Sequence, residues 1–124
     1  MLKMTFCLRR AQHLSRVEFS EYWSNVHAPL VRANAEILGI RRYVQVRTLE
    51  EPWLQDGLRA RNGGAPAAYD GVAEVWVDSL EDLRRPSTEE GRAAAALLLE
   101  DERKFIDLPS SPMFVGEELM IIGD

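Results

Sequence analysis

Two hydrophobic periods alternate along this chain, and the order in which they alternate leaves few folds open. Leu2, Met4, Phe6 and Leu8 alternate with Lys3, Thr5, Cys7 and Arg9, the two-residue period of a strand over 2–9. Ser15 followed by Glu18 forms a capping box, and the period then lengthens. Phe19, Tyr22, Trp23, Val26, Leu30, Ala33 and Ile37 lie on one helical stripe that Gly39 ends. Residues 40–49 are rich in β-branched and aromatic side chains and predict a second strand. A third covers 71–78, where Val72, Glu74 and Trp76 alternate with Ala73, Val75 and Val77. Ser79 and Asp82 offer another helix start, Pro86 interrupts, and Ser87 with Glu90 offers a third. An alanine- and leucine-rich helix is predicted over about 88–105, closed by Pro109 and Pro112, with a last strand over 113–122.

Strand, helix, strand, strand, helix, strand is the split βαβ order of the ferredoxin-like α+β fold, written βαββαβ. It predicts a four-stranded antiparallel sheet with helices on one face. The first and third strands carry apolar residues on both faces, so the face away from the helices calls for a cover, and a homodimer through the sheets is expected. The chain of 124 residues is read as a single domain, 1–124. Its net charge of −5 argues against nucleic-acid or acidic-membrane partners. The longest apolar run, 93–99, is too short to span a bilayer, and the first residues do not resemble a signal peptide. Cys7 is the single cysteine, which excludes an internal disulfide and fits a cytoplasmic protein. Between 50 and 68 periodicity disappears among Pro52, Gly57, Gly63, Gly64 and Pro66. That stretch is expected to be a mobile loop, either a lid, a binding loop or a disordered segment.

The helical stripe holds a conflict. Pro29 follows His27 by two residues. Its ring collides with the Asn25 carbonyl, and it disfavours helical geometry at Ala28. The helix must loosen beside a titratable side chain on its apolar face. His27 is therefore the first candidate general acid/base, against the plainer reading of a core histidine bonded to a freed carbonyl. Glu74, in the middle of a strand, is the second candidate. It is either a base or a cross-strand partner of Arg42 or Arg47. Tyr22, Trp23, Tyr43 and Trp76 are candidates for an aromatic-binding pocket, or else ordinary core. Asp70 is a candidate substrate contact or a turn cap. Asp101 and Glu102 oppose the dipole at the end of the last helix and call for a partner, read as a structural salt link. No glycine-rich phosphate loop and no metal-ligand spacing is present, so neither a cofactor nor a metal is expected.

The chain resembles the EthD family of dimeric α/β-barrel proteins. The resemblance is carried by Phe19-Ser20-Glu21-Tyr22-Trp23 with His27-Ala28-Pro29-Leu30-Val31, by Arg42-Tyr43-Val44-Gln45, and by Tyr69-Asp70-Gly71-Val72-Ala73-Glu74-Val75-Trp76. The stretch Asp101-Glu102-Arg103-Lys104-Phe105-Ile106-Asp107 and the closing Glu117-Glu118 extend it over nearly the whole chain. It implies a homodimer with a pocket between the sheet and the first helix of each subunit. It also implies kinship with cofactor-free decarboxylases and dehydratases of polyketide-like aromatics, and with an accessory protein of ether degradation. More distant relatives include lactone isomerases, aromatic cyclases and cofactor-free monooxygenases. The expected function is a cofactor-free lyase, isomerase or oxygenase acting on a small apolar, oxygenated compound, with His27 as acid/base. The alternative is a non-catalytic metabolite-binding or accessory protein.

Overall fold

The structure is a computed structural model that describes residues 1–124. Strand β1 (Leu2–Leu8) lies between β3 (Gly71–Val77) and β4 (Met113–Glu117), and β2 (Arg42–Arg47) pairs with the outer side of β3. Every pairing is antiparallel, in the order β2-β3-β1-β4. That is the ferredoxin-like α+β fold the alternating periods predict. Three helical segments cover one face. The first comprises α1 (Arg16–Tyr22), a π-helical turn (Trp23–His27) and α2 (Ala28–Leu38). The others are a 3-10 turn (Asp82–Ser87) and the long helix Glu89–Glu102. Strand alternation sends Phe6, Leu8 and Ala73 to the helices, where they meet Phe19, Trp23, Phe105 and Ile106 in the buried core. Phe19 lies 5.5 Å from Trp23 and 5.7 Å from Phe105 between ring centroids, tilted in both cases.

Helix ends follow the sequence signals. Ser15 and Glu18 close a reciprocal capping box, and Gly39 ends α2 in the left-handed region at φ 71°. The long helix departs slightly from its signals: Thr88 rather than Ser87 caps it, accepting the Gly91 N–H at 3.0 Å, and it ends at Glu102 rather than about 105.

Two expectations are corrected. Residues 50–68 are not structureless, because Pro52–Arg61 forms a helix, α3. Proline presets the first turn, Leu54 and Leu58 fall one turn apart, and Gly64 and Ala65 donate their N–H groups to the Arg59 carbonyl at the far end. No residue of α3 is buried, so it has no apolar stripe to announce it, and Gly57 masks what pattern there is. The Glu89–Glu102 helix is accordingly α4. The last strand ends at Glu117 rather than 122, because β1 has no residue left to pair with beyond Leu2 opposite Glu117. Leu119, Met120, Ile121 and Ile122 are consequently exposed.

The turn before α4 packs so closely that Gly91 admits no side chain. A Cβ there would lie 1.9 Å from the backbone oxygen of Arg85. Gly91→Ala is expected to lower stability by about 1–3 kcal/mol despite the better helix propensity of alanine. A denaturant midpoint equal to that of the wild type would contradict this packing.

Candidate active site

The loosening predicted around Pro29 takes the form of a π-helical turn. The Ala28 N–H donates to the carbonyl of Trp23, five residues back, and Pro29 follows in the first turn of α2, where a missing N–H costs least. The widened turn rotates both Trp23 and His27 inward, leaving them 1% and 4% exposed. The imidazole packs against Phe105 at 5.0 Å between centroids.

The buried imidazole is paired with α4. His27 Nδ1 lies 2.8 Å from Asp101 Oδ2, and the Tyr22 hydroxyl donates to Asp101 Oδ1 at 2.6 Å. A carboxylate only accepts, so the proton of a neutral imidazole belongs on Nδ1. That leaves the lone pair on Nε2, which lies 3.8 Å from Glu102 Oε2. Burial pulls the His27 pKa below its ordinary value, with Asp101 opposing through its hydrogen bond and its charge. The neutral, base-competent form therefore prevails at neutral pH. Tyr22 is pushed up to about 12, by burial first and by Asp101 second, and stays a donor.

His27 lines an apolar cavity of about 260 Å³ between the sheet and the helices. Met4, Phe6 and Val75 form part of its floor, Leu98 and Leu99 part of its roof, and His27, Tyr43 and Glu102 are among its few polar groups. The volume suits a ligand of one or two rings. Tyr43 is held by Gln45, whose Nε2 donates to the Tyr43 oxygen and to the Trp23 carbonyl, each at 3.0 Å. Burial raises the Tyr43 pKa, so the group stays a neutral phenol.

Glu102 is the most perturbed acid. Burial first, then the charge of Asp101, pushes its pKa from 4.5 up to about 7. A raised carboxyl gives stability that is fully present below the unfolded value and lost as pH rises through the folded one. The 4.5 to 7 displacement corresponds to about 3 kcal/mol. Glu102→Gln, fixed in the neutral form, should melt several degrees above the wild type at about pH 8.5 and level with it at about pH 4. Melting curves with the same gap at both pH values would contradict the shift.

The structure gathers some of the sequence candidates and separates others. His27, Trp23 and Tyr43 line one cavity, and Tyr22 stands behind it on Asp101. Glu74 does not belong with them. Ala73 points to the helices, so Glu74 and Trp76 point to the opposite face, where Glu74 pairs with Lys3 rather than with Arg42 or Arg47. Trp76 on that face donates to Glu118 and lies beneath the Lys3 and Arg42 side chains. Asp70 likewise lies outside the cavity that His27 lines. It accepts from the Arg10 backbone at 2.8 Å and its guanidinium at 2.9 Å, anchoring the turn into β3. Asp101 and Glu102, read as a structural salt link in need of a partner, find that partner in the buried histidine. The one sequence signal for them was two carboxylates at a helix C-terminus without a basic residue in its last turn.

Comparison with known proteins places this geometry in context. A family model described as EthD domain matches residues 11–109. An ethyl tert-butyl ether degradation (EthD) family protein from Bacillus halodurans C-125 is 24% identical, with a TM-score of 0.63 over 96% of this chain and 99% of that one. A dimeric protein of unknown function and ferredoxin-like fold from Bacteroides fragilis is 13% identical, with a TM-score of 0.58 over 94% of this chain and 95% of that one. SnoaB, a cofactor-independent oxygenase from Streptomyces nogalater, is 16% identical, with a TM-score of 0.52 over 98% of each chain. None of the curated proteins matches this chain.

Proposed function

The chain belongs to the EthD family, and from that premise we propose that it is a cofactor-free enzyme that moves protons on a small, apolar, oxygenated compound. The reaction falls among lyase, isomerase or oxygenase chemistries, and His27 Nε2 is the general base. One observation carries the reading: an imidazole held at Nδ1 by a carboxylate at 2.8 Å lines an apolar cavity with its other nitrogen unclaimed by Asp101. The lining is mostly apolar, so each polar contact to a bound ligand is strengthened. Activated carbonyl and phenolic compounds suit such a site, because proton transfer and positioning are enough to make them react. The test is solvent deuterium exchange into an enolisable aromatic ketone, followed by NMR. Exchange above the buffer rate that His27→Ala abolishes supports the enzyme. Tight ligand binding without exchange favours a metabolite-binding or accessory role.

The protein is proposed to act as a homodimer in the cytoplasm. Val46 and Phe114, both on the sheet face away from the helices, are 46% and 57% exposed, and a neighbour of the same fold is described as dimeric. The lone free thiol of Cys7 suits a reducing compartment. Light scattering should give twice the mass of one chain at micromolar concentration, with an obligate-class interface of about 2,000 Å² in total. A stable monomer would end this proposal.

A further inference from the structure

His27, Tyr43, Glu102 and Asp82 are the polar groups that line the cavity, Asp82 is paired with Arg85 at 2.8 Å, and the proposed function uses only His27. Tyr43 and Glu102 are held in complementary states. The Tyr43 oxygen accepts the Gln45 amide proton at 3.0 Å, while its own O–H donates to no protein atom and borders the cavity. An oxygen that accepts a hydrogen bond is a better donor through its own proton. Glu102 stands 3.8 Å from the basic nitrogen of His27 on the same wall. Tyr43 and Glu102 line the same cavity.

We propose that Tyr43, held by Gln45, hydrogen-bonds a developing enolate oxygen and that Glu102 is the acid that returns a proton to carbon. The substrate class is then a β,γ-unsaturated carbonyl compound converted to its conjugated isomer. This rests on His27 being the base.

The step balances without a co-reactant. His27 Nε2 takes the α-proton, and the C–H electron pair flows into a dienolate whose oxygen accepts from Tyr43. The dienolate's γ-carbon takes the Glu102 proton, leaving a carboxylate beside an imidazolium. Imidazolium Nε2–H then returns its proton to Glu102, which restores both groups. Gln45 is a positioning residue, since it acts through Tyr43. The raised Glu102 pKa supplies the protonated acid that the step needs near neutrality.

Two measurements test the assignment. The first is equilibrium binding of para-nitrophenol, an enolate mimic, and of nitrobenzene, which lacks the phenolic oxygen, to the wild type and Tyr43→Phe. The variant should bind para-nitrophenol about tenfold more weakly and nitrobenzene equally well. Equal affinity for para-nitrophenol overturns the role of Tyr43, and equal weakening of both ligands overturns it as mere packing. The second is conversion of β,γ-cyclohexenone to its conjugated isomer, followed in the ultraviolet. Tyr43→Phe should slow it by about 10²–10³-fold, the scale of a lost oxyanion donor, and Glu102→Gln by about 10²–10⁴-fold. No acceleration by the wild type over buffer overturns the substrate class. Full activity in Tyr43→Phe or Glu102→Gln, with His27→Ala inactive, overturns this inference and leaves the proposed function standing. Full activity in His27→Ala overturns the proposed function, and para-nitrophenol binding still decides the role of Tyr43.

Discussion

His27→Ala is expected to lower turnover by about 10²–10⁴-fold, the range that a positioned acid/base contributes. It is also expected to cost stability. The imidazole is only 4% exposed and supplies one of the two close hydrogen bonds that the buried Asp101 receives. Removing the donor leaves a carboxylate oxygen without its partner, at a cost of about 1–3 kcal/mol, and opens a small void against Phe105. Loss of activity and loss of fold must therefore be separated. His27→Asn does this, because its amide nitrogen overlays Nδ1 and still donates to Asp101, while nothing replaces Nε2. It should melt closer to the wild type than His27→Ala does and remain as inactive. Activity retained by His27→Asn would refute the base, and equal melting of the two variants would refute the buried pairing.

Much of this fold was readable from the chain, and the reason is burial. Wherever a face is covered, as at Phe6 and Leu8 or Phe19 and Trp23, the period is clear and the element lies where the sequence puts it. The helix Pro52–Arg61 was missed because it buries nothing. Loosening beside His27 was legible because proline acts locally, on its own ring and the carbonyl four residues back. The partners of His27 were not legible, since Asp101 lies 74 positions away and reaches it only through packing of α4 against the first helical segment. Glu74 shows a different limit. Its strand is legible, but that the cavity lies on the other face of the sheet is not, because Val72 and Trp76 are as apolar as Ala73 and Val75, and only the core partners decide which set faces the helices.

Asp101→Asn is the second large effect, and it separates a positioning role from a packing role. The amide nearly matches the carboxylate in shape but carries no charge. The charge of Asp101 supports His27 in the imidazolium form that proton abstraction creates, so its loss should lower turnover by about 10²–10⁴-fold. The sign of the accompanying pH shift is fixed. Burial lowers the His27 pKa and Asp101 raises it. Removing the charge weakens the opposition to burial, so the pKa falls further. The acid limb of the activity profile, and the imidazole titration followed by NMR, should both move to lower pH in the variant. A residue retained only for packing would change melting and leave that titration where it was. An unmoved titration with lowered melting would therefore assign Asp101 to the core. A shifted limb with nearly unchanged melting would assign it to the histidine. The same variant should release the Tyr22 hydroxyl, whose pKa, now about 12 partly through Asp101, should fall toward its ordinary value because only burial then holds it up.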